Sequence, residues 1–104
     1  MPMIVVRNVF QAKFGKGGEL AQHMARSMEG ATAEGVRWRV LTDLSSGSFD
    51  TVVMEAETGS LAEWEERRAR MFADPEFRQM QAATADLIES GHGALYTLEA
   101  RGGE

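Results

Sequence analysis

Few residues in this 104-residue chain are of a type and at a spacing that could do chemistry. Asn8 sits in the strand-like run "IVVRNVF", on the more apolar of its two faces. A buried carboxamide without partners costs about 1–3 kcal/mol, so it is either networked or facing a cavity, where its N–H could hold an enolate oxygen. Arg68 interrupts an apolar stripe, Leu61, Trp64, Met71 and Phe72, at helical spacing. A guanidinium there can snorkel its head to water, pair with a carboxylate, or anchor an acidic or enolate-like ligand. Trp64, Phe72 and Phe77 would then form the aromatic wall of a pocket between helices and sheet. Glu55 falls opposite Trp38 across a hairpin, and burial there would raise its pKa and make it a general base. At an exposed strand end, or paired with Arg7 across a subunit boundary, it is an ordinary salt bridge. Of the two histidines, His23 lies about 100° from the centre of its helix stripe and is the better-placed neutral-pH base. His92, in "GHG", reads as a surface or capping group. Neither has a second His or an acid at ligand spacing, so no metal site is expected.

The stretch "FGKGGEL" raises the question of phosphate binding. Its spacing matches neither G-x-G-x-x-G nor G-x-x-x-x-G-K-[ST], and no parallel βαβ unit with an acidic ribose partner follows. It reads as a flexible turn that lets the next helix fold back over the sheet.

The elements that must position these residues follow from periodicity and caps. Residues 3–14 alternate with period two and read as strand 1, with Ile4, Val6, Asn8, Phe10, Ala12 and Phe14 on one face. Helix 1 runs from Glu19 to Gly30, with Leu20, Met24, Ser27, Met28 and Ala31 on one stripe and Gly30 as the stop. Residues 36–44 and 49–57 flank "SSGS" and read as a hairpin. The register pairs Trp38 with Glu55, Val40 with Val53 and Thr42 with Thr51 on one face, and Leu41 with Val52 and Arg39 with Met54 on the other. The capping box Ser60–Glu63 starts helix 2, with Glu63–Arg67 and Glu66–Arg70 as outward i,i+4 pairs. Asp74–Pro75 starts helix 3, with Phe77, Met80, Thr84, Leu87 and Ile88 inward and Gly91 as its end. Residues 94–100 are strand 4, and 101–104 a frayed tail. The order β-α-β-β-α-α-β predicts one α+β domain over residues 1–100: a ferredoxin-like sandwich with helices on one face of a four-stranded antiparallel sheet.

Both faces of each strand carry apolar residues: in strand 1 Val5 and Val9 on one face and Ile4, Val6, Phe10 and Phe14 on the other, and in the hairpin Trp38, Val40 and Val53 on one face and Leu41, Val52 and Met54 on the other. A one-sided sheet alternates more cleanly, and soluble monomers rarely leave such patches open. A second copy packed sheet to sheet is expected, giving a homodimeric barrel.

The net charge of −5 and the interleaved charges of "EWEERRAR" argue against nucleic-acid binding. No apolar run approaches the ~20 residues of a membrane span. The absence of cysteine excludes disulfides and thiolate chemistry and fits a reducing cytoplasm.

Together "VVRNVFQAKFGKGGEL", "GVRWRVLTDLSSGSFDTVVMEAET" and "SLAEWEERRARMFADPEFRQM" resemble the dimeric α+β barrel superfamily, in particular its NIPSNAP-like branch and the related antibiotic-biosynthesis monooxygenases. The resemblance covers residues 4–99. It implies either a small-molecule binder, which as an enzyme would be a monooxygenase working without cofactor, or a non-catalytic structural or interaction module. In the haem-degrading branch an Asn of strand 1 and a Trp of helix 2 line the pocket, and Asn8 and Trp64 match them in local context. That branch also needs a haem-binding His on the next helix, where this chain has "FRQMQAAT". The ligand expected is therefore an aromatic or polyketide-like molecule rather than haem, with Asn8, Arg68 and His23 as the groups for chemistry and Trp64, Phe72, Phe77, Glu55 and Trp38 as ligand contacts.

Overall fold

The computed structural model describes residues 3–103. The chain runs β1 (Ile4–Ala12), α1 (Gly17–Ala33), β2 (Trp38–Thr42), β3 (Thr51–Thr58), α2 (Leu61–Ala73), α3 (Pro75–Thr84), a single 3-10 turn (Ala85–Leu87) and β4 (Ile88–Thr97). The strands form one sheet in the order β2-β3-β1-β4, with every pairing antiparallel. This is the expected ferredoxin-like α+β arrangement. Among the described residues no helix is long and apolar enough to cross a membrane.

Local chemistry sets the helix ends. The Ser60 hydroxyl accepts the Glu63 N–H at 3.1 Å, and the Glu63 carboxylate reaches back to the Gly59 N–H at 3.0 Å. Asp74 caps α3 by accepting the Glu76 N–H at 2.9 Å, with Pro75 at the first helical position. Helix α1 runs through Gly30, the expected stop, to Ala33. Its terminator is Gly35 at φ +80°. The Val36 N–H bonds the Ala31 carbonyl and the Gly35 N–H that of Thr32, each at 3.0 Å, which is a Schellman closure.

The glycine turn before α1 is pinned rather than flexible. Asp50, at φ +64°, accepts the Gly15 N–H at 2.7 Å and the Gly17 N–H at 3.0 Å. The amides that could have cradled a phosphate are held by the chain's own carboxylate.

Two expectations about the strands are corrected. The hairpin register is Trp38–Ala56, Arg39–Glu55, Val40–Met54, Leu41–Val53 and Thr42–Val52, one residue away from the expected pairing. Asp43 sets it: its N–H bonds the Thr51 carbonyl at 3.1 Å and its carboxylate accepts the Thr51 N–H at 2.8 Å. The connection is then residues 44–50, an odd number, where "SSGS" implied an even one, and a one-residue slip exchanges faces. Trp38, Val40, Val52, Met54 and Ala56 share the helix face, while Arg39, Leu41, Val53 and Glu55 turn outward.

Helix α3 also stops earlier than expected. It closes at Thr84, whose hydroxyl donates to the Met80 carbonyl at 3.0 Å, and Leu87 enters the core from the 3-10 turn. Gly91, His92 and Gly93 belong to β4, opposite Phe10, Val9 and Asn8. A Cβ at Gly91 would lie 2.9 Å from Phe10 Cδ1, and one at Gly93 2.4 Å from Asn8 Oδ1. These glycines give the β1 side chains room to lie across the edge strand, so what looked like a helix stop is a close approach. Arg101, expected in a frayed tail, reaches Glu57 Oε1 at 2.5 Å; Glu104 lies outside the described residues.

The packed core gathers at one end of the sandwich: Ala12, Leu20, Met24, Val52 and Leu87. No residue of α2 is buried. The space between α2, α3 and the other end of the sheet is left open, and the candidate site is there.

Candidate functional site

A cavity of about 610 Å³ lies between sheet and helices. Val6, Asn8 and Phe10 of β1 and Met54 and Ala56 of β3 form its floor, with Gly91 and Gly93 at the β4 edge. Trp64, Arg67 and Met71 of α2, Phe77 and Met80 of α3, and Met24 and Met28 of α1 close it from the other side. Asn8 lies on the helix face, as its strand parity required, and its carboxamide makes no hydrogen bond to another described residue. Gly93 fixes its position, because the Asn8 oxygen fills the volume a Cβ would take. Phe72 and Phe77 meet edge to face with centroids 5.3 Å apart.

Five of the expected site residues therefore border one cavity: Asn8, Trp64, Arg68, Phe72 and Phe77. Arg68 is exposed at the rim, its guanidinium carbon 4.7 Å from the Phe72 ring centre and 5.8 Å from that of Trp64. That is the snorkelled arrangement, with a cation–π contact added. Pairing with a pocket carboxylate is not realised, since no Asp or Glu among the described residues lines the cavity.

Three expected residues lie elsewhere. His23 is not among the residues that border the cavity; it stands off the stripe that buries Leu20 and Met24. Trp38 faces Ala56 rather than Glu55, and its indole N–H donates to Thr32 Oγ1 at 2.6 Å, tying β2 to α1. Glu55 is on the opposite face of the sheet, bonded to Arg7 and to Arg39 Nε, the latter at 2.7 Å. Trp38 and Glu55 border a separate cleft of about 310 Å³. The salt bridge expected between subunits is made within one chain.

The same geometry favours the charged form of Glu55. Burial acts to raise its pKa, but hydrogen bonds and charge from Arg39 and then Arg7 outweigh it and hold the carboxyl below its ordinary 4.5. A carboxyl with a depressed folded-state pKa contributes stability above its unfolded pKa, and that stability is lost as pH falls through the folded value. Glu55→Gln should therefore cost about 0.2–1 kcal/mol at pH 7, because both arginine partners are solvent-exposed and the pair is screened. The gap to wild type should close progressively below pH 4.5, which urea unfolding at several pH values would measure.

Sequence reasoning missed Arg67 and undervalued the methionines. The inner stripe of α2 is Trp64, Arg67 and Met71, each half-buried, one position round the helix from the stripe read through Arg68. The spacing i, i+3, i+7 was visible, but an arginine at its centre looked like an outer-face partner for Glu63. In the structure Arg67 and Arg70 both turn to Glu34 at the end of α1, at 3.0 and 3.3 Å. Met24, Met28, Met54, Met71 and Met80 all border the cavity; four of them had been read as helix-stripe packing. Flexible thioethers suit an adaptable apolar wall.

No family model matches this sequence, and no curated protein matches it. Solved structures do match in fold. An uncharacterized NIPSNAP domain protein from Burkholderia xenovorans superimposes with TM-score 0.79 at 19% identity, over 97% of this chain and 99% of that one. The chain has a NIPSNAP-like fold. A NIPSNAP family protein with unknown function from Agrobacterium tumefaciens str. C58 gives TM-score 0.77 at 19% identity, over 93% and 88% of the two chains. SnoaB, a cofactor-independent oxygenase from Streptomyces nogalater, gives 0.70 at 21% identity, over 97% of each. At these identities the likeness establishes the architecture and leaves activity to the site.

Proposed function

We propose that this chain binds a small organic ligand, aromatic or polyketide-like, between sheet and helices. The observation that carries the reading is the 610 Å³ cavity beside Asn8 and Trp64. It is within the size range of ligand pockets, about 300–1,000 Å³, and like them combines apolar walls with a few polar groups. A thermal-shift screen of aromatic acids, phenols and quinones should find ligands that raise the melting temperature. Met54→Trp, which places an indole on the cavity floor, and Asn8→Ala should each weaken the shift. Stabilisation that persists undiminished in Met54→Trp would place the ligand elsewhere and refute the reading.

An oxygenase form of this reading is supported by the fold shared with the Streptomyces nogalater oxygenase. An enolate held at the Asn8 N–H would react with dioxygen at carbon. One oxygen atom remains as a new carbonyl, and the other leaves as water with two hydrogens from the substrate. A second reading, binding without catalysis, is favoured by the absence of any Asp or Glu among the described cavity residues, where His92 is the histidine at the border and His23 lies outside. Oxygen uptake in the presence of a bound, enolisable ligand separates the two.

The outer sheet face supports a homodimer as a further part of the proposal. Leu41 is 38% and Tyr96 53% exposed there, and Arg7, Glu55 and Arg39 pair among themselves in the row between them. A monomeric mass in light scattering would overturn it.

A further inference from the structure

We infer that the ligand of this cavity is an organic anion, a carboxylate or phenolate on a flat apolar body, and that Arg67 is the residue that selects it. The inference rests on the cavity being a ligand site and adds the charge of the ligand and the group that reads it.

The first observation is a charge imbalance. The protein as a whole carries −5, yet two arginines and no acid among the described residues border the cavity. The second is the state of Arg67 itself. Its Nε and Nη1 are shut off from solvent and have no hydrogen-bond acceptor among the described residues. Glu34 Oε1 is 3.0 Å from Nη1, but it does not lie along an N–H direction. The contact is an ion pair without a hydrogen bond. Glu34 is also shared with Arg70, so a single carboxylate serves two guanidiniums.

Buried N–H groups of a charged side chain are ordinarily satisfied, and an exception needs an explanation, of which an acceptor reached by turning the guanidinium into the cavity is one. None of the other polar residues that border the cavity, Asn8, Ser27, Gln81, Thr84, Ser90 and His92, is hydrogen-bonded to those two nitrogens. The Thr84 hydroxyl is directed to the Met80 and Gln81 carbonyls, and the Asn8 carboxamide stands over Gly93. Rotation about the end of the Arg67 side chain would present its planar fork to two oxygens of a ligand carboxylate, a geometry that an ammonium or an amide cannot match. The methionines and aromatic rings around it would take the apolar body. Arg68, at the rim and stacked on Phe72, is left to attract an anion on its way in rather than to hold it.

The test compares two probes of one shape, 2-naphthoate and its neutral counterpart 2-naphthamide, by calorimetry on the full chain at neutral pH. Wild type should bind the carboxylate about 10- to 100-fold more tightly than the amide. Arg67→Gln should lose that preference while its affinity for the amide is unchanged, which also shows that the variant is folded. Arg67→Lys, keeping the charge but losing the fork, should retain a reduced preference, and it serves as the readout if the Gln variant does not fold. Arg70→Gln, which removes the same charge beside Glu34 away from the cavity, should keep the full preference. Equal binding of the two probes by wild type overturns the inference and leaves the cavity reading standing. So does a preference that survives Arg67→Gln or disappears in Arg70→Gln. Binding of neither probe counts against the cavity reading itself, and the inference falls with it.

Discussion

Leu20→Ala should lower the stability of this protein by about 2–5 kcal/mol, more than any other single truncation of a described side chain. Leu20 is 0% exposed and packs with Ala12, Met24, Val52 and Leu87 in the cluster that forms the core. The cost of a truncation is the lost burial plus the cavity it leaves, and the second term depends on whether neighbours can collapse into it. Ala12 is already small and Val52 is held in the centre of the sheet, so there is little to move in. Against a typical domain stability of about 5–15 kcal/mol, this loss should shift the melting temperature by tens of degrees, at about 4–8 °C per kcal/mol. Urea denaturation should show a lower midpoint with an unchanged slope, the signature of lost native stability. Met28→Ala, on the same helix stripe but bordering an existing cavity, should cost distinctly less. If the two variants were equally destabilised, the division of the interior into a packed end and an open end would be wrong.

Asp50→Ala should be the second large effect, at about 2–3 kcal/mol. The carboxylate accepts two backbone N–H groups at the entrance of α1, at 2.7 and 3.0 Å. Hydrogen bonds to a charged group are worth about 1.5–3 kcal/mol each when well buried, and these are partly exposed. The negative charge also stands at the positive end of α1. A further term comes from the backbone: at φ +64° Asp is tolerated better than Ala. Asp50→Gly should thus be less destabilised than Asp50→Ala by about 1 kcal/mol, although it loses the same two bonds. The order wild type, Gly, Ala in thermal midpoints checks the assignment, and Ala above Gly would contradict it. Gly17 is tied to the same contact, because a Cβ there would lie 2.8 Å from Asp50 Oδ1. Gly15 and Gly17 of "FGKGG" are therefore spaced for a carboxylate thirty-odd residues away in the chain, a relation that no local motif could reveal.

The element order was legible because it is written locally. Alternation in residues 3–14, the Ser60–Glu63 box and the Asp74–Pro75 start each depend on neighbours within a few positions, and each element appears in the structure, with β1 ending at Ala12 and Phe14 left exposed. The parity of β1 placed Asn8 on the helix face for the same reason: once a strand exists, its two faces are fixed by a period of two. The errors arose where a distant contact overrides a local signal. Gly30 resembled a stop until Gly35 supplied the left-handed residue. "SSGS" suggested an even turn until Asp43 bridged to Thr51. Gly91 and Gly93 read as breakers because their reason for being glycine is Phe10 and Asn8 on the adjacent strand.

The sequence alone thus determined a four-stranded antiparallel sheet with its helices on one side, and the parity of β1 that sets Asn8 between the layers. Whether side chains fill that space or leave it open was decided only in three dimensions. The packed cluster lies around Leu20, Val52 and Leu87, and the open space lies at the Asn8 end beneath α2 and α3. Which arginine meets the cavity depends on the rotation of α2 about its axis, a matter of one residue in a helical stripe. Helical periodicity cannot resolve that difference, but the contact with Glu34 does.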